Sequence, residues 1–254
     1  MSEPVDLDPF ARFRTVTRAR IGLGRAGDAM PVKAVLDFQL AHARARDAVH
    51  GAVDFDRLRQ ELAPQECVVV RSLAADRATY LTRPDLGRQV MVEDLPKDRG
   101  GYDIVFVIAD GLSAAAVERH ASAVYKAAVK RLGGLTIGPV ILGQQARVAF
   151  GDEIGAALKA DLVIMLIGER PGLSVPDSLG AYLTFAPKPG RMDSERNCIS
   201  NIHDDGLSYE VAADKIAWLA KEALRLKLTG VDLKENASSE RLTQDAKPVL
   251  PSSS

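Results

Sequence analysis

Two short runs in this 254-residue chain carry side chains able to do chemistry. The first is Gly168-Glu169-Arg170-Pro171-Gly172-Leu173-Ser174, a carboxylate in a Gly/Pro-shaped loop directly after the strongest apolar segment. A carboxylate at the carboxyl end of a strand is well placed to bind a polar ligand; a solvated Glu169–Arg170 pair accounts for the same residues. The second run is Arg196-Asn197-Cys198-Ile199-Ser200-Asn201-Ile202, which sets Cys198 among amides and hydroxyls. Nucleophilic use of that thiol needs a base or cation to make thiolate. Arg196 and His203 are near in sequence, but no cysteine-protease signature surrounds them. We therefore read Cys198 as a small buried residue with a weak donor, not a nucleophile.

Three further features have simpler explanations. Asp110-Gly111-Leu112-Ser113 follows an apolar run and precedes a helical one. Open α/β sheets bind ligands at that edge, yet a helix cap with a turn glycine is also sufficient. Gly22-Leu23-Gly24-Arg25-Ala26-Gly27 matches GxGxxG. The dinucleotide form needs a strand before it and an acidic residue about twenty positions on; here the charged TVTRARI precedes it and an Ala/Arg-rich helix follows. We read it as a flexible glycine turn. The four histidines, His42, His50, His120 and His203, are scattered, with no HExxH or Cys/His spacing, so no metal site and no catalytic residue is expected.

These residues require elements to hold them. Periodicity predicts a helix over 31–51, with Asp28 as its cap and Val32, Leu36, Leu40 and Ala43 on one stripe. A short helix follows over 54–62. From Cys67 the pattern turns to continuous apolar runs: CVVVRSL (67–73), YDIVFVIA (102–109), 137–142, a short strand at 147–150, DLVIMLI (161–167) and LGAYLTFA (179–186). Helices are predicted after Ser113 to about Leu132 (Val117, Ala121, Val124 and Ala128 on one face), over 152–160, and over 208–228 (Ala212, Ile216, Leu219, Ala223 and Leu226 inward). Apolar strands alternating with helices predict a mostly parallel sheet covered on both faces. The fold class is α/β: a Rossmann-like, mostly parallel sheet with a small helical N-terminal region. We divide the chain into an N-terminal extension and helical region (1–65), a Rossmann-like domain (66–232) and a polar, disordered tail (233–254).

Composition narrows the function classes. The net charge of −1, with Lys and Arg nearly balancing Asp and Glu, supplies no basic field for nucleic acid. No apolar run approaches the roughly 20 residues needed to span a bilayer, so no membrane partner is expected. Two cysteines make no disulfide framework, and a cytoplasmic setting follows.

Three blocks in fixed order are specific to one family. They are Arg20–Gly27 continued by LDFQLAHARARDAVH; Phe106-Val-Ile-Ala-Asp-Gly-Leu-Ser113; and Leu166–Leu173 through Asp177-Ser-Leu-Gly180 and Tyr182 to RNCISNI. Over roughly residues 10–232 the chain resembles the ethanolamine ammonia-lyase small subunit. The resemblance implies a subunit of a hetero-oligomeric carbon–nitrogen lyase that converts ethanolamine to acetaldehyde and ammonia by radical chemistry. It implies adenosylcobalamin bound base-on, in keeping with the lack of an Asp-x-His-x-x-Gly run. It implies a large-subunit partner that supplies most of the ethanolamine-binding site, and, in many bacteria, packaging in a protein-shelled microcompartment. Carried over block by block, the family's cofactor contacts fall on Val148, Glu169 and Cys198. On residue type, Glu169 accepts hydrogen bonds from the ligand, Val148 offers apolar surface or backbone, and Cys198 gives a small soft contact. A stand-alone cobalamin- or nucleotide-binding module is the alternative.

Overall fold

The computed structural model describes residues 8–97 and 100–234. Its sheet has six strands: β1 (Cys67–Arg71), β2 (Ile104–Ala109), β3 (Val140–Gln144), β4 (Leu162–Gly168), β5 (Leu179–Phe185) and β6 (Asn197–Ile202). Their order across the sheet is β1-β3-β2-β4-β5-β6. The pairings β1/β3, β3/β2 and β2/β4 are parallel, and β4/β5 and β5/β6 antiparallel. The architecture is thus the expected mostly parallel α/β sheet, with an antiparallel pair added at one edge. Every residue of β2 and β4 is buried, which explains why both read as unbroken apolar runs.

Helices cover both faces. After β2 the chain enters α5 (Ala114–Ala116), a π-helical turn (Val117–Ala121) and α6 (Ser122–Arg131). The predicted face, Val117, Ala121, Val124 and Ala128, is fully buried. With α8 (Tyr209–Leu226) it packs on the side of the sheet carrying Ile104, Phe106 and Ile108. The helix α7 (Phe150–Ala157) covers the other face, where Phe150 and Ile154 meet Val105 and Val107. Ser208 caps α8 by accepting from Val211 N. Of the expected inward stripe on α8, Leu226 in the last turn is instead 42% exposed.

Consecutive connections therefore run in opposite directions across the sheet. One goes to β3 by way of α6, and the next returns across to β4 by way of α7 on the other face. Doubly wound sheets open a crevice where the winding reverses, outside the carboxyl ends of the strands.

Ahead of the sheet lie α1 (Ala11–Arg14), α2 (Val32–His50) and α3 (Phe55–Leu62), and α4 (Arg77–Thr82) follows β1. Leu58 and Leu62 of α3 join the main core. The stripe on α2 does not: Val32, Leu36 and Leu40 are 72%, 57% and 51% exposed. Helical spacing was legible there, but not what the stripe faces. Asp28 does not cap this helix, whose N-cap is Pro31 without a side-chain bond. The short strand expected at 147–150 is also absent. Arg147 N bonds Gly87 O, and Phe150 N turns back to Arg147 O to start α7, so the segment has no ladder partner. No described helix is long and apolar enough to cross a membrane. Of the stretch expected to form a tail, Leu233 is buried in the core, and 235–254 lies outside the described residues.

Candidate functional site

The crevice exists as a cleft of about 460 Å³ lined by Tyr80, Gly111, Leu112, Arg147, Val148, Ile167, Gly168, Glu169, Arg170 and Tyr182. Its walls are the turn after β2, the loop after β3 and the loop after β4, with Tyr80 and Tyr182 closing the sides.

Asp110 holds two of these walls together. Oδ1 accepts from Gly111 N (2.9 Å) and Ala146 N (3.0 Å), and Oδ2 from Gln145 N (2.8 Å). Gln145 adopts φ +55°, which turns its amide toward the carboxylate. Burial pushes the Asp110 carboxyl up to about 6, against the pull of those amides and of Arg77 3.7 Å away. It is ionised at neutral pH. Gly111 and Gly168 bring β2 and β4 into close approach. Gly111 has φ +56°, and a Cβ there would lie 2.3 Å from Gly168 O; one at Gly168 would lie 2.2 Å from Ser113 O. The bond Leu112 N–Gly168 O (2.8 Å) closes the seam. Ser113 is the predicted cap, accepting from Ala116 N, and its hydroxyl also donates to Pro176 O (2.9 Å).

Glu169 is half-buried at the head of a strapped loop. Ser178 Oγ donates to its carboxylate at 2.5 Å, and the Asn201 amide approaches at 3.3 Å. Glu169 N bonds Ser178 O (2.9 Å). Gly180 leaves room for the carboxylate, since a Cβ there would meet Glu169 Oε1 at 3.0 Å. Further along, Asp177 is bound by Arg119 from the π-helical turn. Glu169 is therefore a built feature, and the solvated Glu169–Arg170 pair is absent from the ion pairs among the described residues.

Cys198 lies on β6 directly opposite Tyr182 of β5. The residue is exposed at the strand edge, not buried as its small size suggested. Desolvation of the thiol, followed by the Glu169 charge, pushes its pKa up. Neither neighbour in sequence makes it a thiolate. Arg196 is committed to Asp152 through bonds of 2.6 and 2.7 Å, both side chains being 2% exposed. That pair, with Thr184 Oγ1 at 2.8 Å, anchors the start of β6 to α7 and β5.

Val148 and Glu169 thus share one cleft, and Cys198 adjoins it through Tyr182 and the strand whose Asn201 amide meets Glu169. Val148 and Glu169 come together from loops after different strands, whereas Cys198 does not itself line the cleft. Sequence reading missed Tyr80, Arg147 and Tyr182 as cleft walls. Tyr182, a phenol within the apolar run of β5, was the one available signal; Tyr80 comes from a turn-rich stretch with none. GxGxxG is elsewhere: Gly22, Gly24 and Gly27 have φ of 56°, 78° and 64° in an arm that leads into α2, with no strand before it among the described residues. No histidine lines the cleft. The cleft offers a carboxylate fixed by Ser178 and the Asn201 amide, beside apolar surface from Leu112, Val148 and Ile167.

Comparison with known proteins identifies the family. The chain is 53% identical over 239 residues to the "Ethanolamine ammonia-lyase small subunit" of Rhodopseudomonas palustris, covering 91% of this chain and 92% of that one. It is 52% identical to the protein of the same name from Bradyrhizobium diazoefficiens (94% and 95% covered) and 51% to that from Xanthomonas campestris (94% and 92%). The family model "Ethanolamine ammonia-lyase light chain (EutC)" matches residues 7–234. The chain belongs to the ethanolamine ammonia-lyase light chain family.

Proposed function

We propose that this chain is the cofactor-holding small subunit of an adenosylcobalamin-dependent ethanolamine ammonia-lyase, and that the switch-point cleft with Val148, Glu169 and Cys198 is where it grips the cofactor. One observation carries the reading: the loops after β3 and β4 of an α/β switch point line one open cleft, adjoined by the thiol-bearing strand, that offers groups to bind a polar and apolar ligand. When bound, adenosylcobalamin supplies the radical that takes hydrogen from ethanolamine; the protein supplies position.

The residues present fit such a group. A corrinoid rim alternates methyl groups with amide side chains. Ile167, Leu112 and Val148 offer apolar surface, the Glu169 carboxylate accepts from an amide, and Arg147 has a buried Nε without a partner in the protein. A corrinoid is also larger than a cleft of about 460 Å³, so most of it must be covered by a second chain. This supports a large-subunit partner that binds ethanolamine and closes over the rest of the cofactor. The setting is cytoplasmic, within a protein-shelled microcompartment where the host builds one. The cofactor is held base-on.

Reconstitution tests this. The chain mixed with the large subunit of a family complex should form a stable hetero-oligomer that releases ammonia from ethanolamine when adenosylcobalamin is added. Either component alone should not. Failure to co-purify, or full activity of the large subunit by itself, defeats the proposal.

A further inference from the structure

Arg147 is a cation without a counter-ion. Its guanidinium stacks over the Tyr80 ring at 4.3 Å, and Arg77 lies over the same ring at 4.7 Å. Its Nη2 donates to Tyr80 O (3.0 Å), its stem lies against Gly87, where a Cβ would come within 2.9 Å, and its backbone N is fixed to Gly87 O (2.7 Å). Its Nε is buried and has no acceptor in the protein. Among the described residues no carboxylate pairs with it, whereas Arg77 has Asp110 and Arg196 has Asp152. Arg170 lines the same cleft from the opposite loop, is exposed, and also has no ion-pair partner among the described residues. The one acid on the cleft wall, Glu169, is held by Ser178 and the Asn201 amide.

The Tyr80 contacts offset part of the desolvation of this half-buried guanidinium, but its buried Nε and its charge are left for a ligand anion to satisfy. Its planar donors match phosphate oxygens, and a pre-ordered fork loses little entropy on binding. We infer that Arg147 and Arg170 form an anion subsite of this cleft that receives the phosphodiester of the cofactor's nucleotide loop. This rests on the adenosylcobalamin reading above, in which that phosphodiester is the only anionic substituent around the corrin. The corrin rim then lies toward Glu169 and Tyr182, and the nucleotide tail toward the loop after β3. A smaller corrinoid without the tail uses only the first half of the site.

The test compares two ligands on the complex with the large subunit. Adenosylcobalamin has the phosphodiester; adenosylcobinamide keeps the corrin and adenosyl group and lacks it. Arg147→Gln should raise the adenosylcobalamin Kd about 10- to 100-fold, the size expected for a lost charge-assisted contact. It should change the adenosylcobinamide Kd less than about two-fold, the scatter of such contacts when none is lost. Arg170→Gln, on an exposed side chain that folding does not need, should weaken only the cobalamin, by roughly 3- to 10-fold. Inorganic phosphate, against chloride at matched ionic strength, should compete with adenosylcobalamin in the wild type and lose that effect in Arg147→Gln. Equal weakening of both corrinoids in both variants, or no weakening in either, overturns the subsite. If the wild-type complex binds neither corrinoid, the adenosylcobalamin reading itself has failed.

Discussion

Replacing Gly168 by alanine probes the seam on which the cleft is built. The new Cβ would lie 2.2 Å from Ser113 O, 2.7 Å from Asp110 O and 2.8 Å from Ser113 C, all backbone. Ordinary Cβ contacts begin near 3.4 Å, so one wall must retreat by about an ångström. Neither wall is free to do so. Asp110 is pinned by three amides, Ser113 is tied to Pro176, and Gly168 O is bonded to Leu112 N. Overpacking typically costs about 1–3 kcal/mol, and this site belongs at the upper end because no flexible side chain can yield. For a domain of this size about 3 kcal/mol lowers the melting temperature by roughly 6–12 °C. Gly172 is the control in the same loop. Its added Cβ would meet only Val175 backbone atoms at 3.5 and 3.9 Å, so Gly172→Ala should stay within about 0.5 kcal/mol of wild type. Thermal unfolding by circular dichroism, with an adenosylcobalamin titration of each assembled complex, reads both effects. The seam account is refuted if Gly168→Ala melts and binds like wild type, or if Gly172→Ala is the more damaging change.

Arg196→Met should destabilise the chain by about 3–5 kcal/mol, because it strands a buried Asp152 charge; the double change Asp152→Leu with Arg196→Met should recover most of that loss in a denaturant titration. The Asp110 carboxyl has a folded pKa of about 6, above its usual value of 3.8, so the folded state binds the extra proton. Stability contributed by this group is therefore present at low pH and declines as pH rises between those values, by on the order of 3 kcal/mol. Chemical denaturation across that window should show the decline in wild type and its absence in Asp110→Asn.

Much of the fold was legible because its central strands are buried on both faces and its main helices keep one apolar stripe. What escaped was set by tertiary context. β6 was not read as a strand since its polar run NCISNI lacks alternation. A register shift opposite Leu179 and Ala181, with Asn201 at φ +60°, puts Ile199 and Ile202 inward at a spacing of three. The stripe on α2 had the right period and faces solvent in this chain, since period reports helicity and not burial. The run at 147–150 has strand-like composition but is captured by the Gly87 carbonyl and by the start of α7. For the site, residue type at a strand end raised Glu169 as a candidate beside the alternative of a solvated pair. Family resemblance alone supplied Val148 and Cys198, since nothing local to either announces a ligand. Arg147 could not be singled out, because its missing counter-ion is a property of the folded neighbourhood.

The most direct test of the central claim is the adenosylcobalamin dissociation constant of the complex carrying Glu169→Ala. Loss of one half-buried acceptor should raise it about 5- to 150-fold, the equivalent of about 1–3 kcal/mol, while the ethanolamine KM stays near wild type. A variant that holds adenosylcobalamin with wild-type affinity, or whose defect falls on ethanolamine alone, would contradict the claim that this cleft grips the cofactor.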